Sequence, residues 1–187
     1  MTAPIAKRLF DVDDYHRMAE VGILVKEDRV ELIDGEIVAM TPIGPLHNAA
    51  VDRTNRALVT AAGDRAIVRV QGSVRLNRYR EPQPDFVLLR PQADFYASRL
   101  PGPADILLVI EVAESSLDYD REVKGGIYAD SNVTEYWLVD LAARSVSCYS
   151  DPHDGAYLKH RDVYAGDTIA PLALPECSIV SDVLMGD

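Results

Sequence analysis

Residues 109–129 read VIEVAESSLDYDREVKGGIYA and join the most apolar run of the chain to a polar, helix-like segment. The apolar run from Ile106 to Ile110 predicts a buried strand, and Glu111 is the single acid at its end. A helix is predicted at about 118–130, where Asp120 and Lys124 are four residues apart and share one face. The arrangement therefore indicates either a polar site at the end of the strand or a solvated strand end beside an ordinary surface ion pair.

Patterns elsewhere in the chain predict the other elements of a single domain covering residues 1–187. Asp11 is a good N-cap for a first helix that runs to about Gly22, and Asp34-Gly35 predicts a two-residue hairpin turn. A second helix is expected from Leu46 to Ala62. Strands are expected at 66–76, 85–90, 106–112, 135–140, 144–149 and 156–164. The element order is that of an α/β (α+β) domain, with an additional N-terminal hairpin and C-terminal strands around its sheet.

Composition narrows the class of protein. The chain has 187 residues, 48% of them hydrophobic and 26% charged, as in ordinary globular domains. No stretch approaches about 18 consecutive apolar residues, so we expect no membrane span. The first residues lack the apolar region of a secretory signal, and the two cysteines, Cys148 and Cys177, form no disulfide framework. We therefore expect a cytoplasmic protein.

Charge is distributed unevenly along the chain. The formal net charge is −11, which argues against general affinity for nucleic acid. Residues 51–80, however, contain seven arginines against two aspartates, a local net charge of +5. This Arg-rich stretch is either a local basic surface for nucleic acid or a solvated face without a ligand.

A candidate metal site follows if strands 85–90 and 106–112 are neighbours, because Asp85 and Glu111 then meet at one end of the pair. Two carboxylates about 4 Å apart repel by roughly 4 kcal/mol at an effective dielectric near 20, so they need a neutralising partner. Mg²⁺ is suited to that role because it prefers carboxylate oxygens, water and phosphate. Lys124 could then orient an attacking water or stabilise the transition state. Glu31 is the best candidate for a further acid, and Gln71 for a contact to substrate or to a bound water.

Two further features have a functional and a structural interpretation. Gly125-Gly126 follows Lys124 inside the predicted helix, where each glycine costs about 1 kcal/mol relative to alanine. Close packing or approach of a ligand would explain the pair, and so would fraying of the helix. His47 near the start of the second helix could contact phosphate or support the site, although a surface or helix-start histidine is the more ordinary interpretation.

Four segments in combination resemble the Uma-two family of restriction-endonuclease-like proteins, within the PD-(D/E)XK nuclease superfamily. They are ELIDGEI at 31–37, PQPD at 82–85, EVAESSLDYDREVK at 111–124 and EYWLVDL at 135–141. The resemblance extends from about Phe10 to the C-terminus. It implies a restriction-endonuclease-like fold, in which helices flank a mixed β-sheet, with a divalent-metal site.

The resemblance also implies roles for single residues. Pro84-Asp85 matches the PD of the motif and Glu111 its second acid, whereas the usual lysine two residues later is Ala113 here. Lys124 resembles a lysine relocated to the following helix. The implied metal ligands are Asp85, Glu111 and Glu31, and the implied catalytic set is Asp85, Glu111, Lys124, Glu31, Gln71 and Asp120.

The functional expectation is a Mg²⁺-dependent endonuclease that hydrolyses DNA phosphodiester bonds, with Mn²⁺ able to substitute. A homodimer is expected by analogy, since cutting both strands of a duplex suits two-fold symmetry. Two alternatives stay open. One is a catalytically inactive nuclease-fold module that binds nucleic acid or a protein partner, which Ala113 and the acidic net charge favour. The other is a metal-dependent hydrolase of a smaller phosphorylated substrate.

Overall fold

The structure is a computed structural model that describes residues 6–186. Residues 1–5 and 187, which the single-domain prediction includes, lie outside the described part. The α-helices are α1 (Val12–Glu20), α2 (Pro45–Ala62), α3 (Leu117–Tyr119), α4 (Gly125–Asp130) and α5 (Asp182–Met185). The strands are β1 (Val30–Ile33), β2 (Glu36–Ala39), β3 (Ile67–Val70), β4 (Phe86–Leu89), β5 (Ile106–Ala113), β6 (Glu135–Asp140), β7 (Ser145–His153), β8 (Ala156–Tyr164), β9 (Thr168–Ile169) and β10 (Ile179–Val180).

A six-stranded sheet forms the centre of the fold, in the order β3-β4-β5-β6-β7-β8. The β5–β6 pair is parallel and the other four pairs are antiparallel, so the sheet is mixed. All eight residues of β5 are buried, as its apolar run predicts. The predicted adjacency of β4 and β5 is confirmed, and with it the fold class.

The two faces of the sheet build two separate hydrophobic clusters. Alternate residues such as Leu108 and Ile110 pack on one side with α2, α5 and the C-terminal tail, and Trp137 lies there as a core residue. Val109 and Leu138 face the other side, where they pack with Ile127 of α4. The period of two along each strand thus divides the core between the faces.

The N-terminal predictions are confirmed in detail. Asp11 caps α1 in a reciprocal capping box with Asp14. Asp34 and Gly35 both have positive φ, +49° and +78°, which is the geometry of a type I′ hairpin turn between β1 and β2. This hairpin forms its own two-stranded sheet, and Leu32 makes an isolated bridge to Glu81.

Three elements differ from the sequence predictions. The strand expected at 144–149 is longer and extends to His153. The strand expected at 66–76 ends at Val70, because Gln71 adopts a left-handed backbone conformation with φ +47°. The helix expected at 118–130 is α3, a π-helical turn (Asp120–Lys124) and α4 in succession, and we refer to this run as the helical segment 117–130. Among residues 6–186, no helix has the length and apolar character needed to cross a membrane.

Candidate active site

Four parts of the chain meet at a cavity of about 320 Å³ beside the ends of β4 and β5. The hairpin, the residue before β4, the end of β5 and the helical segment 117–130 each contribute charged side chains to its wall. Phe86 pairs with Ile110 across the β4–β5 ladder, so Asp85 stands beside Glu111. The backbone N–H of Asp85 donates to Glu111 Oε2 at 3.2 Å. The sequence-predicted convergence of the two acids is therefore present.

The carboxylate of Asp85 is held on both oxygens. Oδ2 accepts a hydrogen bond from the Val112 N–H at 2.9 Å and lies 3.0 Å from His47 Nε2, while Oδ1 accepts from Gln71 Nε2 at 3.2 Å. Burial by itself would raise the pKa of Asp85, but the His47 contact and these hydrogen bonds lower the pKa below its ordinary value. Asp85 is therefore a fixed, ionised carboxylate.

Glu111 is buried, with 3% of its surface exposed, and it shares the Lys124 ammonium with Glu31. Its Oε1 accepts hydrogen bonds from Lys124 Nζ at 3.0 Å and from the Tyr128 hydroxyl at 2.7 Å. Burial raises the pKa of Glu111 to about 8; the Lys124 ammonium acts to lower this pKa, and the Asp120, Asp85 and Glu31 carboxylates act to raise it. The cluster thus holds more carboxylate than its own cation neutralises.

Lys124 lies between two acids at the centre of this cluster. Its Nζ is 3.0 Å from Glu111 Oε1 and 3.4 Å from Glu31 Oε2. Burial would lower the pKa of Lys124, but the Glu111, Glu31 and Asp120 carboxylates raise it above its ordinary value. Lys124 is therefore an ammonium ion that stabilises negative charge, and it cannot act as a base near neutral pH.

The π-helical turn places Asp120 and Lys124 together at the buried side of the helical segment. The Gly125 N–H bonds to the Asp120 carbonyl, five residues back, and the Tyr136 hydroxyl donates to the same carbonyl at 3.0 Å. The Asp120 side chain accepts a hydrogen bond from the Ser116 hydroxyl. Burial raises the pKa of Asp120 to about 6, which leaves it mostly ionised at neutral pH. Turns of this type often occur at functional sites.

The remaining predicted residues also reach the cluster. Glu31 in β1 is buried and accepts a hydrogen bond from the Gln83 N–H at 3.2 Å. Gln71 reaches Asp85 because its positive φ turns the chain at the end of β3, and its own N–H bonds to the Asp85 carbonyl at 2.9 Å. All six predicted site residues are thus brought to one place.

Three residues of the site are absent from the predicted set. His47 lies at the helix start, as one interpretation had it, but it is 9% exposed and contacts Asp85, so it supports the site and is not a surface histidine. Tyr128 bonds Glu111, and Tyr119 lines the cavity. Pro45 at the start of α2 places His47 in the first helical turn, which was a usable signal. No sequence pattern identifies the two tyrosines, because their position depends on the π-helical turn.

Most arginines of the Arg-rich stretch 51–80 have partners within the fold. Five of its seven arginines have described partners: Arg65 with Glu176, Arg69 with the Phe95 carbonyl, Arg75 with Asp13, Arg78 with Asp11, and Arg80 with Asp34 and Asp130. The cationic surplus read from the sequence is therefore largely used within the fold.

The donor set matches a hard divalent cation in chemical type, although among residues 6–186 no group of three or more His, Cys, Asp or Glu side chains is arranged to hold a metal ion. The oxygens of Asp85, Glu111 and Glu31 are of the type that Mg²⁺ prefers. The carboxyl groups of Glu31, Asp85, Glu111 and Asp120 line the same cavity as the single ammonium of Lys124, and a bound cation would offset part of their negative charge. Two buried polar atoms at the cavity, His47 Nδ1 and the Tyr119 hydroxyl, have no hydrogen-bond partner among the described residues.

Comparisons with known proteins agree on the family and the fold. The family model described as "Uma2: Putative restriction endonuclease" matches residues 12–182. A solved structure from Anabaena variabilis, titled a putative nuclease belonging to DUF820, superposes with a TM-score of 0.70 at 13% identity. The match covers 94% of this chain and 97% of the other, and at that identity it shows the fold alone. Comparison with curated proteins finds no match.

Proposed function

The chain belongs to the Uma2 family, whose description reads "Putative restriction endonuclease", and on that premise we propose that it is a Mg²⁺-dependent endonuclease that hydrolyses DNA phosphodiester bonds. Family membership supports nuclease chemistry at a coarse level, and the nuclease-like fold agrees with it. The metal and the substrate are proposals that rest on the site.

One observation carries the proposal, namely the surplus of buried carboxylates around a single ammonium in one cavity. Such a surplus costs stability, so an apo fold retains it where a further cation or ligand completes the charge balance. Asp85 and Glu111 would hold Mg²⁺, with Glu31 assisting. A metal bound there supplies activation of water and stabilisation of charge on the phosphoryl group.

The protein groups divide the remaining work. Lys124, which stays protonated, would stabilise negative charge that develops at the phosphoryl oxygens. Asp120, with a pKa of about 6, would position the attacking water and take its proton. Gln71 and His47 would fix the orientation of Asp85. In a single displacement, the water oxygen bonds to phosphorus while the bond from phosphorus to the leaving ester oxygen breaks.

A catalytically inactive nuclease-fold module is the second candidate, and two observations favour it. Ala113 stands where the usual lysine of the motif is expected, and Lys124 already lies between Glu111 and Glu31. On this reading the lysine completes the cluster in place of a metal, and the fold binds nucleic acid or a protein partner.

The two candidates separate in a cleavage assay that does not depend on one recognition sequence. Supercoiled plasmid and linear DNA of high sequence complexity would be incubated with Mg²⁺, Mn²⁺ or EDTA. We expect metal-dependent cleavage by the wild type, lowered at least about 100-fold in Asp85→Asn. The matched control is Glu135→Gln, which changes a buried acid outside the cavity. A wild type that cleaves neither DNA with either metal would instead support the inactive module.

Two broader expectations also remain proposals, a cytoplasmic location and a homodimer. Two-fold pairing would place two cavities on the two strands of a duplex. Sedimentation with and without duplex DNA would test the dimer, and a monomer in both conditions would overturn it.

A further inference from the structure

The cavity is strongly acidic, which raises the question of how it would accept an anionic phosphodiester. Two residues of its wall have side chains that are always cationic, Arg29 and Lys124. Lys124 already forms ion pairs with Glu111 and Glu31. The acids that line the same wall are Glu31, Asp85, Glu111, Glu114 and Asp120. A metal would offset part of this charge, but the cavity still needs a cation that the fold itself has not used.

Arg29 is that cation. It is an exposed residue of the cavity wall, and its side chain makes no hydrogen bond or ion pair within residues 6–186, in contrast to most arginines of the Arg-rich stretch. Its backbone is fixed, since the Met40 N–H donates to the Arg29 carbonyl at 2.9 Å at the open end of the hairpin. Its φ of +29° is unusual for a residue with a side chain, and such strain is concentrated at functional sites.

Tyr119 supplies an unused donor in the same cavity. Its hydroxyl is buried and has no hydrogen-bond partner in the described part of the chain, an arrangement that costs about 1–3 kcal/mol. Burial, with the nearby Glu31 carboxylate, raises the pKa of Tyr119 to about 12, so the hydroxyl keeps its proton. A protonated, unpaired hydroxyl at a cavity wall suits a ligand that brings an acceptor oxygen.

We propose that Arg29 and Tyr119 form a subsite that binds a non-bridging oxygen of a phosphodiester in the substrate strand, beside the acids of the candidate metal centre. The guanidinium supplies charge and paired N–H donors that match phosphate geometry, and the hydroxyl supplies one directed hydrogen bond. This assignment rests on the proposed function for its substrate class, but it concerns binding and requires no turnover.

The test measures binding of a fluorescent duplex DNA of random sequence by anisotropy, with Ca²⁺ in place of Mg²⁺ and the DNA checked for integrity. We expect Arg29→Gln to weaken binding at least about tenfold, as for loss of a charge-assisted hydrogen bond, and Arg29→Lys to weaken it less. The slope of log affinity against log salt should fall by about one for Arg29→Gln. Tyr119→Phe should weaken binding about fivefold without loss of stability, because the hydroxyl it removes is unpaired.

Matched controls lie outside the cavity. Arg56→Gln removes an exposed arginine of α2 whose side chain also has no hydrogen bond or ion pair within residues 6–186, and Tyr164→Phe alters an exposed tyrosine of β8. Variants at 29 and 119 that bind DNA as these controls do would overturn the subsite. A wild type that binds DNA through Arg29 yet never cleaves it would leave the subsite standing and remove the catalytic proposal.

Discussion

Glu111 and Glu135 lie in neighbouring parallel strands of the sheet, and both are almost fully buried, with 3% and 2% of their surfaces exposed. Burial raises the pKa of both carboxyls. Glu135 has one donor on each oxygen, the Trp137 indole N–H at 2.7 Å and the Leu172 N–H at 2.6 Å. Glu111 instead competes with Glu31 and Asp120 for one ammonium.

The difference separates a structural acid from a candidate functional one. Both carboxylate oxygens of Glu135 have a hydrogen-bond donor within the fold, and these hydrogen bonds tie the C-terminal segment to β6. Glu111 belongs to a group whose negative charge exceeds its cations and which opens on a cavity. Both acids are thus buried and have a raised pKa, but only Glu111 belongs to a cluster in which the acids outnumber the cations.

Removal of the single ammonium should have the largest effect on stability. Lys124→Met leaves Glu111 and Glu31 buried without a cation, and we expect a loss of about 3–5 kcal/mol in the free energy of unfolding, measured by urea denaturation. Arg121 lies on the same helical turn but is exposed, and its ion pair, from Nη1 to Asp118 Oδ1, is long at 3.7 Å. Arg121→Met should therefore change the free energy of unfolding by less than about 0.5 kcal/mol. Equal losses in both variants would show that Lys124 stabilises the fold no more than an exposed cation does, which would contradict the account.

Removal of the structural acid should cost less and leave the site intact. Glu135→Ala deprives two buried N–H groups of their acceptor, so we expect a loss of about 2–4 kcal/mol in the free energy of unfolding. Its affinity for Mg²⁺, measured calorimetrically on the folded protein, should equal that of the wild type. A large loss of metal affinity in this variant would erase the distinction between the two glutamates.

The smallest effect is a gain in stability that depends on pH. Burial raises the folded-state pKa of Asp120 from its ordinary 3.8 to about 6, so the folded state loses stability relative to the unfolded state as pH rises through that interval. Asp120→Asn should therefore be more stable than the wild type by about 1–3 kcal/mol at pH 7.5 and equal to it near pH 3.5. Urea denaturation at both pH values checks this, and a destabilised variant at pH 7.5 would contradict the raised pKa.

Local chemistry made much of the fold predictable. The Asp11 cap, the Asp34-Gly35 turn and the apolar run of β5 are each decided by residues next to one another in sequence, and all three are confirmed. The end of β3 at Gln71 was not predictable, because alternation continues through residue 76 and only tertiary contacts fix the positive φ.

The acids of the site were predictable from the sequence, but the helical residues that hydrogen-bond to them were not all predictable. Asp85 and Glu111 follow from the adjacency of two strands. His47 and Tyr128 contact them from helices that are distant in sequence, so their roles depend on packing. The Arg-rich stretch shows the converse, because a count of charges does not reveal that most of its arginines have partners within the fold.

The central claim is that the unbalanced acids form a divalent-metal site, and calorimetric titration of Mg²⁺ and Mn²⁺ tests it most directly. The wild type and Glu135→Gln should bind metal, whereas Asp85→Asn and Glu111→Gln should lose binding at least about 100-fold. A wild type that binds no metal even with DNA oligonucleotides present, or an Asp85→Asn variant that binds as the wild type does, would contradict the claim.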